Sequence, residues 1–317
     1  MPGEQLQLNG ERKNVMELTD VLNKIELPNG ETIAYRERLG DGQLVILVHG
    51  NMTSSKHWDL LIESLDNQFH IIALDLRGFG GSSYNQRITH IRDFAEDVKL
   101  FVDALGLKNF DLVGWSTGGM VCMQYCALYP EDCNKLVLLA SGSTRGYPFY
   151  GMTADGQIDL MNRYTTLVEI EQDPYKTQAM QSLYDTKNRE GLRTVWNSLI
   201  YTQHQPTEER YEAYIDDMLT QRNLADVYHS LNIFNMSDID NVVSKGTGEI
   251  NRITQPVLII YGDKDYVVVE QMTNEIIEDF GDKAKVVKIE NCGHSPLVDN
   301  LCQLTNEIEL FLLKGER

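Results

Sequence analysis

Short runs of apolar residues recur along the chain, with helical patterns of apolar and polar positions between them. The runs show no polar alternation, which is typical of strands buried on both faces in a parallel sheet covered by helices. They are Leu44–Val48, Ile71–Leu74, Leu112–Gly114 with Trp115 behind it, Leu136–Leu139, Val257–Tyr261 and Val286–Ile289. The alternation of strand and helix predicts an α/β fold, a doubly wound and mostly parallel sheet with right-handed crossovers.

Helices are predicted where apolar positions recur at helical spacing. One apolar stripe covers residues 91–105, and another covers residues 297–312. The segment between Ser116 and Pro130 has almost no polar face, so this helix is expected to be buried. Near the start of the chain, Pro28-Asn29-Gly30 separates two strand-like runs, which predicts a hairpin and an antiparallel start to the sheet.

The alternation stops after Ser141-Gly142-Ser143 and resumes at Gln255-Pro256. The interval is rich in Tyr, Gln, Asn and charged residues, with helical signals near Tyr175–Leu183, Leu192–Tyr201 and Glu208–Leu219. We therefore expect a helical cap inserted into a core and preceded by a polar arm. The predicted limits are 1–22 for the N-terminal arm, 23–143 and 251–317 for the core, and 144–250 for the helical cap.

Charge and composition narrow the classes of partner. The 47 acidic and 28 basic residues give a formal net charge of −19 at pH 7, the wrong sign for binding nucleic acid or an anionic membrane. Residues 1–10 lack the basic and apolar parts of a secretory signal, and no run of about 18 apolar residues occurs. We expect a cytoplasmic protein with no nucleic-acid partner and no membrane span, whose oligomeric state the sequence leaves open.

The cysteines form an odd set without a CxxC pair, so reduced thiols that fill core space are expected. No Cys/His spacing of the structural zinc type occurs, and no metal site is predicted. The five cysteines are Cys122, Cys126, Cys133, Cys292 and Cys302.

The strongest chemical motif is Gly114-Trp115-Ser116-Thr117-Gly118-Gly119, a G-x-S-x-G sequence between a predicted strand and a predicted helix. A sharp turn at this place brings neighbouring chain close to the nucleophile, and the flanking residues must then lack a bulky Cβ. The turn also puts Ser116 at a helix N-terminus, where the backbone amide of Thr117 would face an oxyanion.

A serine hydroxyl needs a base, and the usual base is a histidine oriented by a carboxylate. Asp265 and His294 both follow the carboxyl ends of predicted strands, where ligands bind in open α/β sheets. Asp263 competes with Asp265 for the role of the acid and could instead cap the turn. The chain order of Ser116, Asp265 and His294 is the one expected for a nucleophile elbow of this kind.

A second oxyanion donor is expected in the loop that follows the strand 44–48. The backbone amide of Asn51 is the first candidate and that of Met52 the next. His49 in the same loop is interpreted as shaping it through hydrogen bonds rather than as a base. The glycine-rich segment 75–83 fits neither the G-x-G-x-x-G fingerprint nor a P-loop, so it is interpreted as a structural loop beside the site.

Taken together, these motifs resemble the α/β-hydrolase superfamily, in the form with a helical lid, over roughly residues 25–313. The matching pieces are His49-Gly50, Asp75-x-Arg77-Gly78-x-Gly80-x-Ser82, Gly114-x-Ser116-x-Gly118, Gly262-x-x-Asp265 and Gly293-His294. The resemblance implies an esterase- or lipase-like serine hydrolase and favours Asp265 over Asp263 through its spacing. It also implies that the lid forms the substrate pocket, with Trp115 and Met52 as lining residues.

The leading hypothesis is the hydrolysis of a small carboxylic ester or lactone through an acyl-enzyme, which requires neither a cofactor nor a metal. Carbon–carbon bond hydrolases and thioesterases share the serine elbow and stay open as alternatives. A non-catalytic ligand receptor of the same fold is a further alternative. Dehalogenases and epoxide hydrolases carry Asp at the elbow, and Ser116 argues against both.

Overall fold

A computed structural model of the protein describes residues 21–314, and an eight-stranded sheet is its main feature. Two further strands, β7 and β8, form a separate antiparallel hairpin. Within this range the strands are β1 (Asn23–Glu26), β2 (Thr32–Arg38), β3 (Leu44–Val48), β4 (His70–Leu74), β5 (Phe110–Trp115), β6 (Cys133–Leu139), β7 (Tyr150–Met152), β8 (Ile158–Arg163), β9 (Val257–Gly262) and β10 (Ala284–Ile289).

The large sheet has the spatial order β1-β2-β4-β3-β5-β6-β9-β10. All pairings from β4 to β10 are parallel, whereas β2 is antiparallel to both of its neighbours. Val48 at the end of β3 pairs with Leu74 in β4 and Gly114 in β5, so these strands end at one edge. The predicted mostly parallel sheet and its antiparallel start are confirmed.

Helices cover both faces of the sheet. One apolar core includes Phe94, Phe101 and Tyr125, and a second core on the opposite face includes Trp58 and Ile308. The α-helices of the described residues are α1 (Asp59–Ser64), α2 (Ile91–Ala104), α3 (Thr117–Leu128), α4 (Leu167–Glu171), α5 (Thr177–Asp185), α6 (Arg189–Leu199), α7 (Glu208–Met218), α8 (Leu224–Ile233), α9 (Glu270–Phe280), α10 (Pro296–Asp299) and α11 (Leu301–Leu313).

Helix α3 confirms the expectation of a buried helix after Ser116, because every residue from Thr117 to Ala127 is buried. The prediction of a single helix over residues 297–312 is wrong, because the helix is interrupted between α10 and α11. Asn300 has a non-helical backbone (φ −151°, ψ 62°), and its side chain accepts a hydrogen bond from the amide of Gln303. This N-cap satisfies an amide at the start of α11 and begins a new helix.

Between β6 and β9 the chain forms α4 to α8 and the β7–β8 hairpin; residues 144–250 are called the inserted segment below. The helical signals near residues 175–183, 192–201 and 208–219 correspond to α5, α6 and α7. The hairpin, α4 and α8 are additional to the expected elements. The boundaries of the segment as a separate cap stay a prediction.

The predicted N-terminal arm lies outside the described residues except for Val21 and Leu22. Across residues 21–314, no helix combines the length and the apolar character needed to cross a membrane.

Candidate active site

Ser116 occupies a strained turn between β5 and α3. Its φ is 56° and its ψ is −118°, a backbone conformation that costs free energy for a residue with a Cβ. A Cβ on Gly114 would lie 2.4 Å from the carbonyl oxygen of Gly118, and one on Gly118 would lie 2.0 Å from that of Val48. The glycines of the motif are therefore required by close backbone packing around the serine.

His294 and Asp265 are brought together, as the sequence predicts. Nδ1 of His294 lies 2.8 Å from Oδ2 of Asp265, and each side chain is only 3% exposed. Because an ionised carboxylate can only accept, the proton of the imidazole is on Nδ1 and Nε2 is left as the basic nitrogen. The other carboxylate oxygen of Asp265 accepts from the amides of Val267 and Val268, at 2.8 and 2.9 Å.

Asp263, the alternative acid, is engaged elsewhere. Its side chain accepts from the backbone amide of Cys292 at 3.1 Å, which fits the turn-capping interpretation. Cys292 itself is buried, and burial raises the pKa of its thiol far above the ordinary value. A thiolate nucleophile at this position is therefore disfavoured.

Trp115 forms a hydrogen bond with the backbone of His294, a contact that the sequence did not predict. Its indole Nε1 donates to the carbonyl oxygen of His294 at 2.9 Å, and the two ring centroids are 5.9 Å apart. The side chain is 2% exposed and also lines the cavity beside Ser116. Trp115 thus ties the end of β5 to the loop that carries His294.

A cavity of about 170 Å³ opens onto these residues. Ser116, Thr117, Asn51 and His294 contribute its polar lining, and no Lys, Arg, Asp or Glu of the described residues lines it. The apolar and aromatic wall consists of Met52, Trp115, Met120, Tyr147, Val195, Trp196, Leu199, Ile200, Tyr228, Leu231, Val267 and Val268. Ser116 and His294 face the same space, although no hydrogen bond joins their side chains in the described part of the chain.

Asn51 and Thr117, the two residues predicted as oxyanion donors, lie beside Ser116. Asn51 and Thr117 both line the cavity, and within the described residues neither amide donates to another protein group. Met52, the second candidate, has φ 62°, so a residue with a long side chain has its backbone in the left-handed region. The side chain of Asn51 accepts a hydrogen bond from Gln221 of the inserted segment at 2.8 Å.

Both ring nitrogens of His49 form hydrogen bonds with the backbone. The amide of Leu76 donates to its Nε2 at 2.9 Å, so the proton is on Nδ1, which donates to the carbonyl oxygen of Gly50 at 2.7 Å. Complete burial lowers the pKa of His49 to about 4. Both ring nitrogens are occupied, and the imidazole is neutral near pH 7.

The loop after β4 is held by internal contacts. The carboxylate of Asp75 accepts from the amides of Ser55 and Gly81, both at 2.8 Å, and Arg77 forms a bidentate ion pair with Asp97. These contacts agree with the interpretation of a structural loop. Among the residues that the structure describes, no group of three His, Cys, Asp or Glu side chains is arranged to hold a metal ion.

Comparison with known proteins places the chain in a family. The family model of the alpha/beta hydrolase fold matches residues 43–301. A lipase 3 of Moraxella sp. (strain TA144) is 24% identical over 92% of this chain and 84% of its own length. A 2-hydroxy-6-oxononadienedioate/2-hydroxy-6-oxononatrienedioate hydrolase of Pseudomonas sp. is 24% identical over 80% of this chain and 83% of its own length.

A solved structure agrees with the fold. The esterase of Exiguobacterium antarcticum superposes with a TM-score of 0.70 at 18% identity, covering 92% of this chain and 99% of that chain. The family match spans β3 to the start of α11 and includes Ser116, Asp265 and His294. The protein therefore belongs to the alpha/beta hydrolase fold family.

Proposed function

We propose that the protein is a serine hydrolase that cleaves a carboxylic ester or lactone through an acyl-enzyme intermediate. The observation that carries the proposal is the convergence of Ser116, the Asp265–His294 pair and two free backbone amides on one apolar cavity. Each group has a defined role in acyl transfer. The lipase among the relatives supports the same reaction class.

In the proposed mechanism, Nε2 of His294 removes the proton of the Ser116 hydroxyl as Oγ attacks the carbonyl carbon. The amides of Asn51 and Thr117 stabilise the resulting oxyanion. When the ester C–O bond breaks, His294 gives its proton to the leaving alcohol, and the acyl group stays on Ser116. Water then attacks the acyl-enzyme by the same route and releases the acid.

The inserted segment is proposed to act as a lid over this chemistry. Helix α6 supplies Val195, Trp196 and Leu199 to the cavity wall, and α8 supplies Tyr228 and Leu231. An apolar wall beside a preorganised oxyanion hole excludes water and strengthens the electrostatic interactions of the reaction. The predicted cytoplasmic location is independent of this evidence and stays a prediction.

The wall also favours a neutral, compact acyl or alcohol group. The cavity resembles in size an apolar cavity of about 150 Å³ that holds benzene. A carboxylate at the far end of a substrate would lose its hydration without gaining a cationic partner, since no Lys or Arg among residues 21–314 lines the cavity. This argues against a dicarboxylate of the kind named for the carbon–carbon bond hydrolase relative.

Carbon–carbon bond cleavage and thioester hydrolysis use the same triad, and non-catalytic ligand binding uses the same cavity. A substrate panel separates them: p-nitrophenyl esters and lactones of graded chain length, acyl-thioesters, and ring-cleavage diketones. We expect the highest kcat/KM for neutral short esters. Tight ligand binding without an acyl-enzyme would support the receptor alternative instead.

Ser116→Ala tests the proposal directly. Without the nucleophile, kcat on the preferred ester is expected to fall at least about 10³-fold, and covalent labelling by a fluorophosphonate is expected to vanish. Ser141→Ala is a matched control, because this buried serine lies near the elbow but donates only to the carbonyl oxygen of Gly142. Full activity or labelling in Ser116→Ala would exclude the scheme.

A further inference from the structure

We propose that Gln221 of the inserted segment is a positioning residue for the oxyanion hole. Its side chain holds Asn51, the residue whose backbone amide is the oxyanion donor in the loop after β3. The inference rests on the proposed function and adds to it. The inserted segment then fixes a part of the catalytic machinery as well as covering the cavity.

The side-chain amide of Gln221 is fixed at both ends. Nε2 donates to Oδ1 of Asn51 at 2.8 Å and to Oδ1 of Asn223 at 3.0 Å, while Oε1 accepts from the hydroxyl of Tyr184 at 3.2 Å. The orientation is determined by Asn223, whose Nδ2 is already committed to the carbonyl oxygen of Arg77 at 2.8 Å. Oδ1 of Asn223 must therefore face a donor, which is the nitrogen of Gln221.

The loop that carries Asn51 needs such a restraint. Met52 has φ 62°, and a long side chain persists in this conformation only where the surroundings determine the backbone. On the core side, His49 and Thr53 both donate to the carbonyl oxygen of Gly50, at 2.7 and 2.8 Å. On the side of the inserted segment, Gln221 hydrogen-bonds Asn51 itself, and Asp217 hydrogen-bonds Ser54 further along the loop.

The chain around Gln221 is itself anchored to the core. Asp217 accepts from the hydroxyl of Ser54 at 2.5 Å, and Thr220 accepts from the amide of Gly80 at 2.9 Å. On the other side, the amide of Arg222 donates to the carbonyl oxygen of Gly78 at 2.9 Å. Gln221 is only 6% exposed, so its amide acts from a fixed, buried position.

A fixed support matters because an oxyanion donor must lie about 2.7–3.1 Å from the oxyanion. Without the Gln221 contact the Asn51 loop can relax, and the amide no longer points at one place in the cavity. The substrate in its ground state is held mainly by the apolar wall, which Gln221 does not line. The loss is therefore expected in the transition state and not in substrate binding.

Gln221→Leu tests this with the best neutral ester. We expect kcat to fall about 10-fold with KM changed less than about twofold, since complete loss of a donor costs about 10²–10³. The affinity for a trifluoromethyl ketone, which mimics the oxyanion, should fall by the same factor as kcat. Gln255→Leu is the matched control, because this glutamine is 5% exposed and its Nε2 donates to the carbonyl oxygen of Pro130, before β9.

Asn51→Ala removes the same hydrogen bond from the other partner and keeps the backbone amide. We expect the same loss of kcat as for Gln221→Leu, and no further loss in the double variant. Additive losses, or an unchanged kcat in a folded Gln221→Leu protein, would overturn the proposal while leaving the serine mechanism intact. If the unmodified protein neither turns over esters nor reacts with a fluorophosphonate, both proposals are wrong.

Discussion

Asp111 is a buried carboxylate near the start of β5, at the opposite end of the strand from Ser116. It is fully buried; Oδ2 accepts from Gln43, and Oδ1 has no hydrogen-bond partner among the described residues. Burial raises its pKa to about 7, and the partial compensation by Lys135 is smaller. Between about pH 4 and pH 7, Asp111 therefore carries a proton in the folded protein, whereas the same carboxyl is ionised in the unfolded chain.

Asp111→Asn is expected to stabilise the protein at pH 8 and to have little effect at pH 4. The unfolded carboxyl ionises near pH 3.9, so the stability that the protonated folded form provides is complete below that pH and is lost as pH rises to about 7. The difference between the folded and unfolded pKa values sets an upper limit of about 4 kcal/mol on the increase in the free energy of unfolding. Urea unfolding at both pH values measures it, with the exposed Asp41→Asn as control. Equal effects at both pH values would contradict the assignment.

Sequence alone could identify the residues whose position follows from strand ends. Asp265 and His294 come directly after β9 and β10, and parallel strands end at one edge of the sheet. Gln221 and Trp115 are different, because their contacts with Asn51 and the His294 carbonyl depend on the path of distant chain. No local spacing encodes such contacts.

At the level of elements, Gly118 shows how tightly α3 lies against β3. Gly118→Ala should raise stability by roughly 1 kcal/mol if helix propensity alone decided the outcome. The new Cβ would instead lie 2.0 Å from the carbonyl oxygen of Val48 and 2.6 Å from that of His49, both backbone atoms. We expect the free energy of unfolding to fall by roughly 1–3 kcal/mol and the activity to fall at least about 100-fold, because the turn at Ser116 and the loop after β3 must separate.

Thermal unfolding and ester hydrolysis measure both effects of Gly118→Ala. Gly191→Ala in α6 is the control, because its Cβ would meet only side chains: the end of the flexible Leu183 at 2.5 Å and the capping Asn188 at 3.1 Å. That variant should keep its activity. A Gly118→Ala protein as stable and active as the parent would show that the elbow can shift freely.

The strands of the large sheet and the helices α2, α3, α5, α6 and α7 were predictable because each has an apolar pattern in the sequence, whereas α1, α4, α8 and α9 were not predicted. β3 coincides with its apolar run, and the hairpin of β1 and β2 follows from its turn. The β7–β8 hairpin was missed because β8 is mostly exposed and carries no buried face. The break at Asn300 was missed because apolar positions continue in register across it, while a single side-chain cap decides the geometry.

For the whole molecule, the net charge of −19 acts on any charged substrate. The negative field lowers the local concentration of anions, and salt screens it over about 10 Å at 0.1 M. We expect kcat/KM for p-nitrophenyl hemisuccinate to rise severalfold between low and high salt. The value for the neutral p-nitrophenyl butyrate should stay nearly constant and serves as control. Parallel salt curves for the two esters would argue against electrostatic exclusion.

The order of the strands in the sheet affects the nascent chain during synthesis. β5 lies at the centre of the sheet, whereas the loop that carries His294 follows β10, an edge strand and the last of the described strands. Synthesis proceeds from the N-terminus, so Ser116 leaves the ribosome long before His294 does. Under the proposed mechanism, an unfinished polypeptide has a hydroxyl but no proton acceptor, and hydrolytic competence begins only when the final strand docks.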